Sequence, residues 1–125
     1  MDISISPSEL EVMKVLWEES PQQVTSIVAQ VRKKNDWDKN TIGTMLDRLV
    51  RKGAVAREGS RRSYAYRPLV GRDEYRLEAA NDFVARLFDG NPASVFALFA
   101  RRQALSPEDI AELRKTLDEL EAKDE

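Results

Sequence analysis

The sequence predicts a mainly α-helical chain carrying one small β-hairpin in its first half. Three observations predict it. Apolar residues recur at helical spacing in stretches separated by Pro and Gly, two short runs alternate at strand spacing, and those runs flank a glycine-containing turn. With 125 residues and 42% hydrophobic content, the chain is large enough for one ordinary domain or two small ones.

The first helix is announced by Ser6-Pro7-Ser8-Glu9, with Ser at the N-cap, Pro at N1 and Glu at N3. Ile5 and Leu10 stand where a hydrophobic staple would. Leu10, Val12, Met13, Leu16 and Trp17 give a wide apolar face, so Trp17 is expected in the core. Glu18 to Pro21 break this helix. A second, spanning about Val24 to Lys34, turns Ile27, Val28 and Val31 inward and closes on Arg32, Lys33 and Lys34, which complement its dipole. Trp37 is expected to pack beneath the next element.

That element is the centre of the reading. Between Asp38, a plausible N-cap, and Gly53, a plausible C′ residue, Ile42, Met45, Leu46, Leu49 and Val50 form one apolar stripe. The opposite side carries Asn40, Thr41, Thr44, Arg48, Arg51 and Lys52, with Lys39 in the first turn. Asn and Arg can hydrogen-bond base edges, Thr offers a methyl and a hydroxyl, and Lys or Arg can neutralise phosphate. The same face would equally suit a solvated helix.

Ala54 to Glu58 and Ser63 to Arg67 then alternate as strands around Gly59-Ser60-Arg61-Arg62, and Pro68 ends the second. Tyr64 and Tyr66 share a face and are expected to pack. Arg61 and Arg62 sit at the exposed tip without a packing role, which suits phosphate or minor-groove contact. Three helices followed by a hairpin with a basic tip describe a winged helix-turn-helix over residues 1–70, its third helix entering the major groove of double-stranded DNA.

Residues 71–125 are expected to form a helical dimerisation region. Leu77, Ala80, Val84, Leu87 and Phe88 line one helix; Val95, Phe96, Leu98 and Phe99 crowd a short second one; Ile110, Leu113, Leu117 and Leu120 line a third that opens on Ser106-Pro107-Glu108-Asp109. So few residues make a poor core alone, and a second copy of the chain is the expected partner, with Leu77, Val84, Leu87, Phe96, Phe99, Ile110, Leu113 and Leu117 at the contact. An amphipathic membrane anchor fits less well, because this half is acidic.

Charge supports the division. Residues 1–70 hold 12 basic and 9 acidic side chains, whereas residues 71–125 hold 8 and 13. From Arg32 to Arg67 there are 11 basic and 4 acidic residues, a local excess hidden by the overall net charge of −2. The absence of Cys and His removes thiolate and imidazole metal sites, Cys nucleophiles and His-based acid–base catalysis, so an enzyme, a metal and a cofactor are not expected. No apolar run reaches the ~18 residues of a membrane span and the first residues do not read as a signal peptide, so a cytoplasmic location is expected. Two other functions remain compatible: a ligand-sensing regulator of this fold, with its ligand near Phe96 and Phe99, and a protein-interaction module using the basic face.

The pattern Ile5-Ser6-x-x-Glu9-x-x-Val12-Met13-x-x-Leu16-Trp17 resembles the opening of the BlaI/MecI penicillinase-repressor family, which includes copper-responsive CopY-type members. So does Trp37-x-x-x-Thr41-Ile42-x-Thr44-x-Leu46-x-Arg48-Leu49-x-x-x-Gly53, and Tyr64-x-Tyr66-x-Pro68 with the segment from Gly90 to Leu120 extends the similarity over nearly the whole chain. The resemblance implies a homodimeric bacterial repressor of transcription on a palindromic operator, with Thr41, Thr44 and Arg48 on the recognition helix. It places the chain near regulators of β-lactam resistance. In those members a membrane sensor pathway inactivates the repressor by cutting an Asn-Phe bond, which implies a regulatory protease as a partner and Leu98-Phe99 as the aligned bond. Here Leu replaces that Asn. The C-terminal cysteine motif of the copper-responsive members is absent, and Gly43 stands where a larger polar residue is usual.

Overall fold

The structure, a computed structural model, describes residues 3–123. Six helices and three short strands follow one another among the described residues. The order is α1 (Pro7–Glu18), β1 (Gln22–Gln23), α2 (Val24–Val31), α3 (Lys39–Lys52), β2 (Val55–Glu58), β3 (Ala65–Pro68), α4 (Arg72–Leu87), α5 (Pro92–Arg101) and α6 (Pro107–Lys123). They fall into two compact units, residues 1–77 and 78–125.

In the first unit, α1 begins as its sequence dictates. The Ser6 hydroxyl accepts from the Glu9 amide at 3.2 Å, and the Ser6 amide donates back to Glu9 Oε1 at 2.9 Å. Val12, Met13 and Leu16 of α1 are fully buried with Ile27 of α2 and with Ile42, Leu46 and Leu49 of α3. Trp17 packs at the edge of this core, donating its indole N–H to the Val70 carbonyl at 2.8 Å and meeting the Tyr75 ring at 5.9 Å. Those contacts carry the first unit past residue 70 into the opening turns of α4.

Two features differ from the expectations. The helix α2 stops at Val31, not near Lys34. The Lys34 amide donates to Val31 O at 3.3 Å, and the Asn35 amide and side-chain amide both reach that carbonyl at 3.1 Å, so the chain tightens and turns out of the helix. The sheet also has a third strand. β1 pairs antiparallel with β3, Gln22 opposite Tyr66, so that β3 lies between β1 and β2. Gln22 is buried there and is satisfied. Its amide N–H groups reach the Val15 and Glu19 carbonyls at the end of α1, while its oxygen accepts from Ser26 and Gln30, each at 2.7 Å.

The second unit lacks a comparable core. None of α4, α5 and α6 contains a buried residue among those described. Its caps are nonetheless well made: Asn91 accepts from the Ala93 amide at 3.1 Å, and Ser106 and Asp109 exchange two 3.0 Å hydrogen bonds in the reciprocal manner of Ser6 and Glu9. Phe83 and Phe88 meet at 5.6 Å between ring centroids. No helix among the described residues is long and apolar enough to cross a membrane.

Candidate nucleic-acid interface

The helix α3 is fixed at both ends and on one side, which leaves the other side free. Asp38 caps it by accepting from the Thr41 amide at 2.8 Å, and that bond foremost holds the Asp38 carboxyl below its ordinary pKa. Gly53 closes it in the left-handed region at φ 81°, and the Ala54 amide then donates to Leu49 O at 3.0 Å. Ile42, Met45, Leu46 and Leu49 bury the inner stripe as the periodicity required, with Val50 and Trp37 half-buried against the same core.

On the outer side Lys39, Asn40, Thr41, Thr44, Arg48 and Arg51 are all exposed. The Thr44 hydroxyl donates to Asn40 O at 3.0 Å, so its oxygen retains acceptor capacity. Among the described residues Lys39, Arg48 and Arg51 take part in no ion pair. Lys52 behaves differently. Its ammonium reaches back to Glu9 Oε1 at 2.5 Å and to Ser4 O at 2.9 Å, so it anchors α3 to the start of α1. Burial pushes the Glu9 carboxyl up, but Lys52 and the Ser6 amide and hydroxyl outweigh that and hold it below its ordinary value.

The hairpin contributes a second basic element. Strand alternation puts Val55 and Arg57 on one face. Val55 is buried, and Arg57, further out, meets α3: its guanidinium lies 3.3 Å from Asp47 Oδ1 and 4.6 Å above the Tyr64 ring. On the other face Arg67 bonds Glu58 at 2.7 Å. Beyond these pairs the chain turns through Gly59 at φ 96°, where a Cβ would stand 3.0 Å from Ser63 O, and the Ser63 amide donates to Ser60 O at 2.9 Å. Arg61 and Arg62 lie in that turn, exposed, with no ion-pair partner among the described residues. The contacts of Asp47, Arg57 and Lys52 join residues distant in sequence, and no local pattern signals them.

In the second unit the residues expected at a dimer contact are mostly uncovered. Exposure runs from 38% at Ile110 to 64% at Leu77 for Leu77, Leu87, Phe96, Phe99, Ile110 and Leu117, while Val84 and Leu113 are half-buried. Leu98 and Phe99 are exposed within α5. Among the described residues no group of three or more Asp or Glu side chains is arranged to hold a metal ion.

Comparison with known proteins bears on both units. The chain is 35% identical to the penicillinase repressor of Bacillus licheniformis over 92% of its length and 90% of the relative's. It is 28% identical to the methicillin resistance regulatory protein MecI of Mammaliicoccus sciuri over 91% of this chain and 93% of that one. Among solved structures, the DNA-binding domain of the repressor BlaI covers 60% of the chain and 92% of its own length at 36% identity, with a TM-score of 0.54. The Bacillus licheniformis BlaI monomer in complex with the blaP half-operator covers 58% and 88% at 38% identity, with a TM-score of 0.51. The winged-helix architecture is shared with both. The penicillinase repressor family model matches residues 5–119, which takes in the basic helix, the hairpin and all three C-terminal helices, and the chain belongs to that family.

Proposed function

We propose that this protein is a sequence-specific DNA-binding transcriptional repressor that acts as a homodimer on a two-fold operator. The observation that carries the reading is the pair of basic elements whose charges are left without protein partners. Lys39, Arg48 and Arg51 lie on the outer side of a recognition-type helix, and Arg61 and Arg62 lie at the hairpin tip. Structural cations in the same unit, Lys52 and Arg57, are paired instead. The relative solved on a half-operator supports the same reading. In it, Asn40, Thr41, Thr44 and Arg48 face base edges in the major groove, while Lys39, Arg51, Arg61 and Arg62 meet phosphates. Such a protein acts where the DNA is, in the cytoplasm, and catalyses nothing.

The uncovered apolar faces of α4, α5 and α6 support association through the second unit, with Leu77, Val84, Leu87, Phe96, Phe99, Ile110, Leu113 and Leu117 against a second copy. A regulatory protease acting at Leu98-Phe99 is not part of this reading, because Leu stands where the cleaved relatives carry Asn. Selection of bound DNA from a random pool tests the whole. A two-fold motif with half-sites about 10 base pairs apart, or a multiple of that, is the expected result. Enrichment of no motif, with binding independent of salt, overturns it.

A further inference from the structure

On the outer side of α3 stands one acid. Asp47 is 58% exposed and, at 3.6 residues per turn, projects within about 20° of Asn40 and about 40° of Arg51 around the helix axis. A carboxylate there is repelled by phosphate, so its place on a DNA-facing surface needs a reason. Two features supply one. Arg57 bonds Oδ1 through a single 3.3 Å contact, and Arg57 is itself held over the Tyr64 ring, so the charge is offset from the wing rather than from the DNA. Oδ2 accepts no hydrogen bond among the described residues. One turn before Asp47, Gly43 presents no side chain, and nothing lies within 4 Å of where its Cβ would stand. A base edge can therefore approach Asp47 across the gap left by Gly43.

Resting on the DNA-binding reading above, we propose that Asp47 is a specificity-determining residue: its free carboxylate oxygen accepts a hydrogen bond from the exocyclic amine of a cytosine in the major groove, with Arg57 neutralising the acid. Carboxylates pair with cytosine N4, which donates, and reject guanine O6 and thymine O4, which only accept. Asn differs in a useful way, because its amide can pair bidentately with adenine N6 and N7.

The test is selection from a random DNA pool with the full-length wild type, Asp47→Ala and Asp47→Asn, each checked by thermal melting and by circular dichroism. The wild type is expected to prefer cytosine at one position of each half-site by on the order of 10- to 100-fold. Asp47→Ala should lose that preference alone, and Asp47→Asn should move it toward adenine at the same position. Arg57→Gln should weaken binding to every sequence, and by less when Asp47 is already Ala. Identical motifs from all three proteins, or an Asp47→Ala variant that binds every sequence more tightly with no base preference changed, overturn the inference and leave DNA binding intact. A wild type that selects no motif overturns both.

Discussion

Replacing Lys52 with Met tests how the recognition helix is anchored. Glu9 is only 2% exposed, and its Oε1 is held by Lys52 Nζ and the Ser6 amide, while Oε2 has no hydrogen-bond partner among the described residues. Removing the ammonium leaves a buried carboxylate with too few donors. Breaking a fully buried pair costs about 3–5 kcal/mol. Lys52 is 36% exposed, so solvent screening lowers the expected loss to about 2 kcal/mol. The pH dependence follows from the lowered Glu9 pKa. Because that value lies below the ordinary 4.5, the pair stabilises the fold at neutral pH, and the contribution disappears as pH falls through the native value. In Lys52→Met, burial dominates and raises the Glu9 pKa, so the carboxyl neutralises early in an acid titration. The difference between the two proteins should be largest at pH 7 and shrink well below pH 4.5. Urea unfolding followed by the fluorescence of Trp17 and Trp37, both in the first unit, measures it; with a slope of ~1–2 kcal/mol per molar, the midpoint should drop by about 1–2 M at pH 7. A loss below about 0.5 kcal/mol at pH 7, or one equally large at pH 3.5, refutes the buried-pair reasoning.

Gly43→Ala should raise stability by up to about 1 kcal/mol, since the new methyl meets nothing within 4 Å and Ala is the better helix former; a melting temperature that does not rise contradicts this. Gln22→Ala should cost about 2 kcal/mol by stripping donors from the Val15 and Glu19 carbonyls and an acceptor from Ser26 and Gln30, and a urea midpoint within error of wild type would count against that network. In DNA binding, Thr44→Ala or Arg48→Ala should relax sequence preference, whereas Arg61→Ala or Arg62→Ala should weaken all sequences about equally and lower the salt slope by about one each. Uniform losses from all four mean that α3 does not read bases. If the dimer neutralises on the order of 6–10 phosphates, affinity should fall ~10³–10⁵-fold between 50 and 200 mM salt, and a flat titration contradicts the electrostatic reading.

Much of the first unit is legible from local signals. The capping box at Ser6, the cap at Asp38, the left-handed Gly53 and the stripe of α3 are each written in a few consecutive residues, and the structure repeats them. What is missed is written elsewhere. A two-residue strand of glutamines has no apolar alternation to announce it; Gln22 is in a strand because β3 pairs with it and because four hydrogen bonds satisfy its side chain in the interior. The basic run after Val31 has good helix formers and carries no break of its own before Asn35. It leaves the helix because Asn35 caps the Val31 carbonyl twice. Trp17 reads as a core residue, yet its bond to Val70, 53 residues away, is what ties the opening of α4 to the first unit.

The outer side of α3 shows why residue type alone leaves a polar face ambiguous. By composition Lys52 and Arg48 are equivalent, and so are Arg51 and Arg57. Partner geometry separates them. Lys52 is bound to Glu9 and Arg57 to Asp47, both structural uses of charge, while Arg48 and Arg51 keep their charge for something outside the fold. A solvated face gains nothing from that sorting, because exposed ion pairs contribute little and either cation could be paired or free. A face that meets a polyanion gains from it directly: its acid is neutralised from the side and its remaining cations are left to phosphates and bases. Pairing therefore divides the basic residues of α3 and the hairpin into those that hold the recognition helix in place and those that it presents.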